Sequence, residues 1–120
     1  MAVHELVVSV RELDAVAVLD LVGDVDASAE RALQSAYEEA TRERGAVVLN
    51  FSGADYINST GIALIVGLLA QARARGIQIT AFGLSDHYRE IFEITRLADF
   101  MTIADNETGA IGGAERRNHA

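Results

Sequence analysis

The stretch AVVLNFSGADYINSTGIALIVGLLAQARARG, residues 46–76 of a 120-residue chain, decides how the rest is read. Its first six residues, 46–51, are apolar on both alternating faces, the pattern of a central strand buried from two sides. The run SGADYINS, 52–59, is punctuated by Gly, Asp and Asn and reads as a loop. From about Thr60 to Arg75 the apolar residues return at helical spacing, and Gly76 falls at the C′ position where a left-handed residue ends a helix. Arg73 and Arg75 in the last turn suit the negative end of the helix dipole. Strand, loop and helix together make half of an α/β unit.

The helix is too apolar for one packing surface. On a helical wheel Ile62, Ile65, Val66 and Leu69 form a stripe able to cover a sheet, while Leu64 and Leu68 project to the far side beside Gly61 and Gly67. An element apolar on two faces is sandwiched inside its own protein or completed by a partner, and Leu64 and Leu68 are read as the partner-facing pair. The same face would also support a homodimer.

Outward from this segment the pattern continues. Residues 5–13 and 15–22, rich in Val and Leu and split by a polar break, read as two strands with a tight connection. GDVDAS follows as a loop, with Ser28 as N-cap of a helix over 29–44 that Gly45 ends. Ala29, Leu33, Ala36, Tyr37 and Ala40 fall on one side of that helix. IQITAF, 77–82, is a further strand, and Ser85 caps a helix presenting Tyr88, Ile91 and Phe92. FMTIA, 100–104, reads as a short last strand, NETGAI as a short helix, and GGAERRNHA as a frayed tail. The order is ββαβαβαβ(α), a single α/β domain with a sheet covered by helices.

Composition narrows the function. Half of the residues are apolar and 23% are charged, as in a folded domain, and the formal net charge is −8. That balance disfavours nucleic acid and anionic membrane surfaces, both of which need clustered cations. The basic residues are all Arg, so Schiff-base and P-loop lysine chemistry are excluded, and the absence of cysteine excludes disulfides and thiolate sites. The N-terminus lacks a basic, cleavable leader pattern, and the apolar run Gly61–Ala70 is far shorter than the ~20 residues of a membrane span. A cytoplasmic protein without direct membrane insertion is expected.

The remaining question is Ser59. As a nucleophile it would need a nearby base, yet His4, His87 and His119 fall in a strand, a helix start and the tail, and N-S-T-G is no nucleophile elbow. Asp20, Asp24 and Asp26 do not complete a calcium loop, and the glycines match no nucleotide motif, so no metal, cofactor or catalytic residue is assigned. Asn58, Ser59 and Thr60 can all cap a helix. A phosphate on Ser59 would be tolerated by the free N–H groups there, while adding about −1.5 to −2 charges at the rim of a contact surface. The residues alone describe a regulated binding surface.

GDVDASAERAL, AVVLNFSGADYINSTGIALIVGLLAQARARG and IQITAFGLSDHYREIFEITRLADFMTI, in this order, resemble the STAS domain of bacterial anti-sigma factor antagonists over about residues 4–112. The resemblance implies a STAS-like fold, a mixed sheet of four to five strands covered by about four helices, over 1–112, with 113–120 as a disordered tail. It also implies that Ser59, followed by Thr60 and Gly61, is the serine phosphorylated by a partner anti-sigma factor with serine protein kinase activity. In that family the unphosphorylated antagonist binds the anti-sigma factor and frees the sigma factor, phosphorylation blocks binding, and a phosphatase restores it. Asp26 corresponds to the family's acidic residue near the same surface. The expected partner-binding set is therefore Asp26, Asn58, Ser59, Thr60, Gly61, Leu64 and Leu68. One departure is plain: Asn58 stands where the family usually has Asp. STAS domains also serve as non-phosphorylated scaffolding modules in stress-sensing, transport and lipid-trafficking complexes, which is the alternative.

Overall fold

The computed structural model describes residues 4–13 and 15–118, with side chains as far as 116. Five strands, β1 (Val7–Leu13), β2 (Val16–Val25), β3 (Ala46–Ile57), β4 (Gln78–Phe82) and β5 (Thr102–Ile103), form one sheet in sequential order. β1 and β2 pair antiparallel as a hairpin, and the later pairings are all parallel. The parallel crossovers are carried by α1 (Glu30–Thr41), α2 (Ser59–Ala74) and α3 (Asp86–Ile94), and α4 (Glu107–Asn118) follows β5. The mixed five-stranded sheet and four helices agree with the sequence expectation.

Strand alternation sorts the core into two layers. Ala17, Leu19, Leu21, Val47, Leu49, Phe51, Ile79 and Ala81 point to one face, where Leu33 and Tyr37 of α1, Ile65, Leu68 and Leu69 of α2 and Phe92 of α3 bury them. Val16, Val18, Ala46, Val48 and Phe82 point to the other face and meet Ala110 and Ala114 of α4. The small residues of α4, four apart, let that helix lie close against the sheet. Its first turn is held by Arg11 of β1, which donates to both Asp20 of β2 and Glu107, while Asn50 of β3 also donates to Asp20. The Arg11 guanidinium, helped by Asn50, holds the Asp20 carboxyl below the usual carboxylate range.

Several sequence boundaries move. β3 runs to Ile57, well past the expected end at residue 51, because 52–57 pair with β2 through Gly23↔Ala54, Asp24↔Tyr56 and Val25↔Ile57. Register shifts between Asp20 and Val22 and between Gly23 and Asp24 break the two-residue period, so the segment looked like a loop. β2 reaches Val25 for the same reason, which places Asp20 and Asp24 in a strand. α1 begins after a 3-10 turn, Ala27–Ala29, capped by Asp26 and not by Ser28, and it ends at Thr41, before Gly45. Thr41 turns its hydroxyl back to the Tyr37 carbonyl at 2.8 Å. The stretch 113–118, expected as a frayed tail, continues α4, and Ala114 is fully buried. Residues 119 and 120, with the tail histidine His119, lie outside the described residues.

Candidate functional site

Ser59 stands where the parallel pair β2–β3 ends and α2 begins. The Asn58 N–H donates to the Val25 carbonyl at 3.2 Å, tying the end of β3 to the end of β2. Its side-chain oxygen then accepts from the Gly61 N–H at 2.8 Å, and its carbonyl accepts from Ile62 at 2.9 Å. Asn58 is thus a complete N-cap, and Ser59, Thr60 and Gly61 occupy the first three helical positions. The N–H groups of Ser59 and Thr60 precede the first intrahelical bond, so the positive end of α2 faces outward beside the serine.

Gly61 is fixed by contact. A Cβ at this position would lie 1.9 Å from the Val25 carbonyl oxygen, inside any tolerable distance, so the first turn of α2 rests directly on the backbone of β2. From the other side Tyr88 of α3 accepts the Ile57 N–H on its hydroxyl at 3.0 Å. The segment leading into Ser59 is therefore held by β2, by its own cap and by α3. Sequence reading placed Tyr88 on the apolar side of α3 and missed this bond, which no local pattern announces.

Ser59 and Thr60 are exposed, and neither hydroxyl has a hydrogen-bond partner among the described residues. Asp26 emerges beside them from the end of β2, but its carboxylate is engaged, accepting from the Ser28 N–H at 2.9 Å and the Ser28 hydroxyl at 2.6 Å. Neither of the two described histidines serves Ser59: His4 lies 3.8 Å from Asp55, and His87 stacks edge-on with Tyr88. Among the described residues no group of His, Asp and Glu is arranged to hold a metal ion.

The far face of α2 differs from the expected one. Leu64 is half-buried in a groove of about 240 Å³ between α1 and α2, beside Gly67 and below the reciprocal Gln34–Gln71 pair. Leu68 does not project outward; it is 3% exposed and belongs to the core. Val66, placed on the sheet by the wheel, is instead 45% exposed. The stripe that packs is Gly61, Ile65, Leu68, Leu69 and Ala72, rotated from the expected one. Structure thus brings Asp26, Asn58, Ser59, Thr60 and Gly61 together, leaves Leu64 along the same helix, and removes Leu68 from the surface. No helix among the described residues is long and apolar enough to cross a membrane.

Comparisons with known proteins bear on the fold and the family. The STAS domain family model matches residues 7–110. The anti-sigma-B factor antagonist of Listeria monocytogenes is 32% identical over 88 residues, covering 72% of this chain and 77% of the relative. Among solved structures, phosphorylated SpoIIAA of Bacillus superposes with a TM-score of 0.68 at 20% identity, covering 88% of this chain and 96% of that one. A sulfate transporter family protein from Wolinella succinogenes reaches a TM-score of 0.78 at 13% identity, covering 92% and 93%. At those identities the structural likenesses establish the fold. The family model and the curated relative establish more: this chain belongs to the STAS domain family and is related within it to the anti-sigma factor antagonists.

Proposed function

We propose that this protein is an anti-sigma factor antagonist, a binding regulator whose contact with an anti-sigma serine kinase is made through the Ser59 loop and the start of α2 and ended by phosphorylation of Ser59. The observation that carries the reading is an exposed, unbonded hydroxyl at the first position of a helix anchored on both sides of it. The kinase would transfer the terminal phosphoryl group of ATP to the Ser59 oxygen, releasing ADP, with the hydroxyl proton taken by a base on the kinase. Ser59 acts as substrate, and its activation comes from the partner.

The physical consequence is asymmetric. The added charge is stabilised by the outward N–H groups of Ser59 and Thr60, so the fold remains. A partner surface shaped for a neutral hydroxyl would have to desolvate a dianion, so binding falls. Asn58 in place of Asp supplies the same cap oxygen to Gly61 and leaves the local geometry intact.

Intact-mass measurement after incubation with ATP and the organism's anti-sigma kinase should show one added phosphoryl group, absent in Ser59→Ala. Ser59→Asp should weaken kinase binding by tenfold or more, while stability stays within about 0.5 kcal/mol of the parent. The competing reading is a constitutive scaffolding module, favoured by the missing acid at position 58 and by the fold shared with a transporter-family protein. It predicts an unchanged mass and undiminished binding of Ser59→Asp.

A further inference from the structure

We propose that the groove between the second half of α2 and the Thr95–Phe100 turn is a separate docking surface for an acidic amphipathic helix of another protein. The groove holds about 290 Å³ and is almost wholly apolar: Leu69 and Leu97 form its floor, with Val66 and Phe100 as walls. Val66 and Phe100 are 45% and 53% exposed, so two large side chains that could have packed inward stand open to water on either side of one trough.

Charge decides the kind of partner. Arg73 and Arg96 line the groove and no carboxylate does, although the chain as a whole carries a net charge of −8. Arg73 lies 5.4 Å from the centre of the Phe100 ring and has no ion-pair partner among the described residues. Arg96 keeps one nitrogen on Asp99 at 2.6 Å and presents the rest of its fork outward, being 78% exposed. Its backbone is left-handed, φ 68°, a conformation that favours Gly or Asn, so an arginine here is held against its local preference. An apolar trough with cationic rims complements an apolar stripe with acidic flanks.

Dimensions favour a helix. Val66 to Arg73 spans eight residues of α2, seven helical rises or on the order of 10 Å, which accepts anchors at i, i+3 or i+4, and i+7 of a partner helix. Two arginines are too few for an anionic membrane, where several basic residues act together. The near wall of the groove, Val66, lies on the order of 10 Å from Ser59 along α2, but its cation Arg73 lies fourteen residues away, on the order of 21 Å. That exceeds two Debye lengths at physiological salt, so phosphate on Ser59 would not reach it electrostatically.

The test uses the full chain, isotopically labelled, and a synthetic helical peptide about three turns long with a Leu stripe flanked by Glu, against the same peptide with Lys for Glu. The acidic peptide is expected to shift the amide resonances of Val66, Leu69, Arg73, Leu97 and Phe100. Its affinity should fall at least tenfold in Arg73→Glu and Val66→Glu, persist in Arg73→Lys, weaken with salt, and stay unchanged in Ser59→Asp. Both altered positions are exposed, and an unchanged melting temperature verifies the fold of each variant. The proposal is overturned if neither peptide binds, if the Lys peptide binds equally, or if the shifts map to the Ser59 end or the α1–α2 groove. Concentration-dependent shifts of the same amides without peptide would overturn it in favour of a second copy. Failure of the Ser59 phosphate switch leaves every one of these readouts unaffected.

Discussion

The two ends of α2 are built on opposite terms. At its N-terminus the helix is in backbone contact with β2, capped by Asn58, and preceded by a strand end that Tyr88 holds. Seven residues further on, around Val66 and Gly67, the same helix turns apolar or bare surface to solvent, and its last turns border an open groove. One end has fixed geometry and a free hydroxyl. The other is packed through Leu68, Leu69 and Ala72 on its inner side and leaves Val66 and Gly67 open on its outer side. A phosphate-responsive site needs the first kind of region, since a local charge becomes a reliable signal only where the backbone cannot relax around it. A docking face suits the second, where side chains can adapt to a partner.

The sharpest way to break the contrast is Gly61→Ala. The new methyl would enter the Val25 carbonyl, and the two nearest atoms it meets are backbone atoms of β2, which cannot swing aside as the end of a flexible side chain can. Overpacking typically costs about 1–3 kcal/mol and more where backbone must move, so a loss of about 3 kcal/mol or more is expected in urea unfolding. A loss under about 1 kcal/mol would mean that the α2 N-terminus is free to shift, and the rigid-site argument would fail.

Asn58→Ala acts at the same end with a smaller effect. It removes the oxygen that accepts the Gly61 N–H, and the expected cost is about 1 kcal/mol. Asn58→Asp retains the acceptor and adds a charge suited to the helix N-terminus, so it should be neutral or stabilising by a few tenths of a kcal/mol. Thermal melts of the two variants side by side separate the cap from the charge. Equal melting temperatures would show that the cap bond carries no stability here.

How much of this was legible in the sequence depended on whether a local pattern carried it. The strand β4, the helix α3 with its Ser85 cap, and the end of α2 at Gly76 were all marked by periodicity and turn chemistry within a few residues. The helix start at Asn58 and Ser59 was legible to within two residues, because a polar triplet before a long apolar helix is itself a local signal. The phase of α2 was not legible. A helix apolar nearly all round offers several equivalent stripes, and only the contact of Gly61 with Val25, a tertiary fact, selects the one that buries Leu68 and exposes Val66. The long end of β3 was hidden by register shifts, and the continuation of α4 past Ile111 by Gly112 and Gly113, since Gly lowers helix propensity. The Arg11–Glu107 pair joins residues 96 positions apart, so nothing local could announce it.

Gly67→Ala gives the smallest effect and reverses the sign. Gly67 lies on the exposed side of α2, and a Cβ there would meet nothing within 4 Å. A glycine in mid-helix costs about 0.5–1 kcal/mol relative to alanine, because the unfolded chain keeps more freedom to lose. The substitution should therefore stabilise the protein by about that amount, raising the melting temperature by several degrees in a domain of this size. Paired with Gly61→Ala, it makes the same chemical change six residues away on one helix, with opposite outcomes. If Gly67→Ala instead destabilises, the exposed half of α2 must deform in a way that the open surface around it gives no reason to expect. If it stabilises, Gly67 carries a cost that the isolated fold does not repay, beside Leu64 on the face that lies along the helix from Ser59.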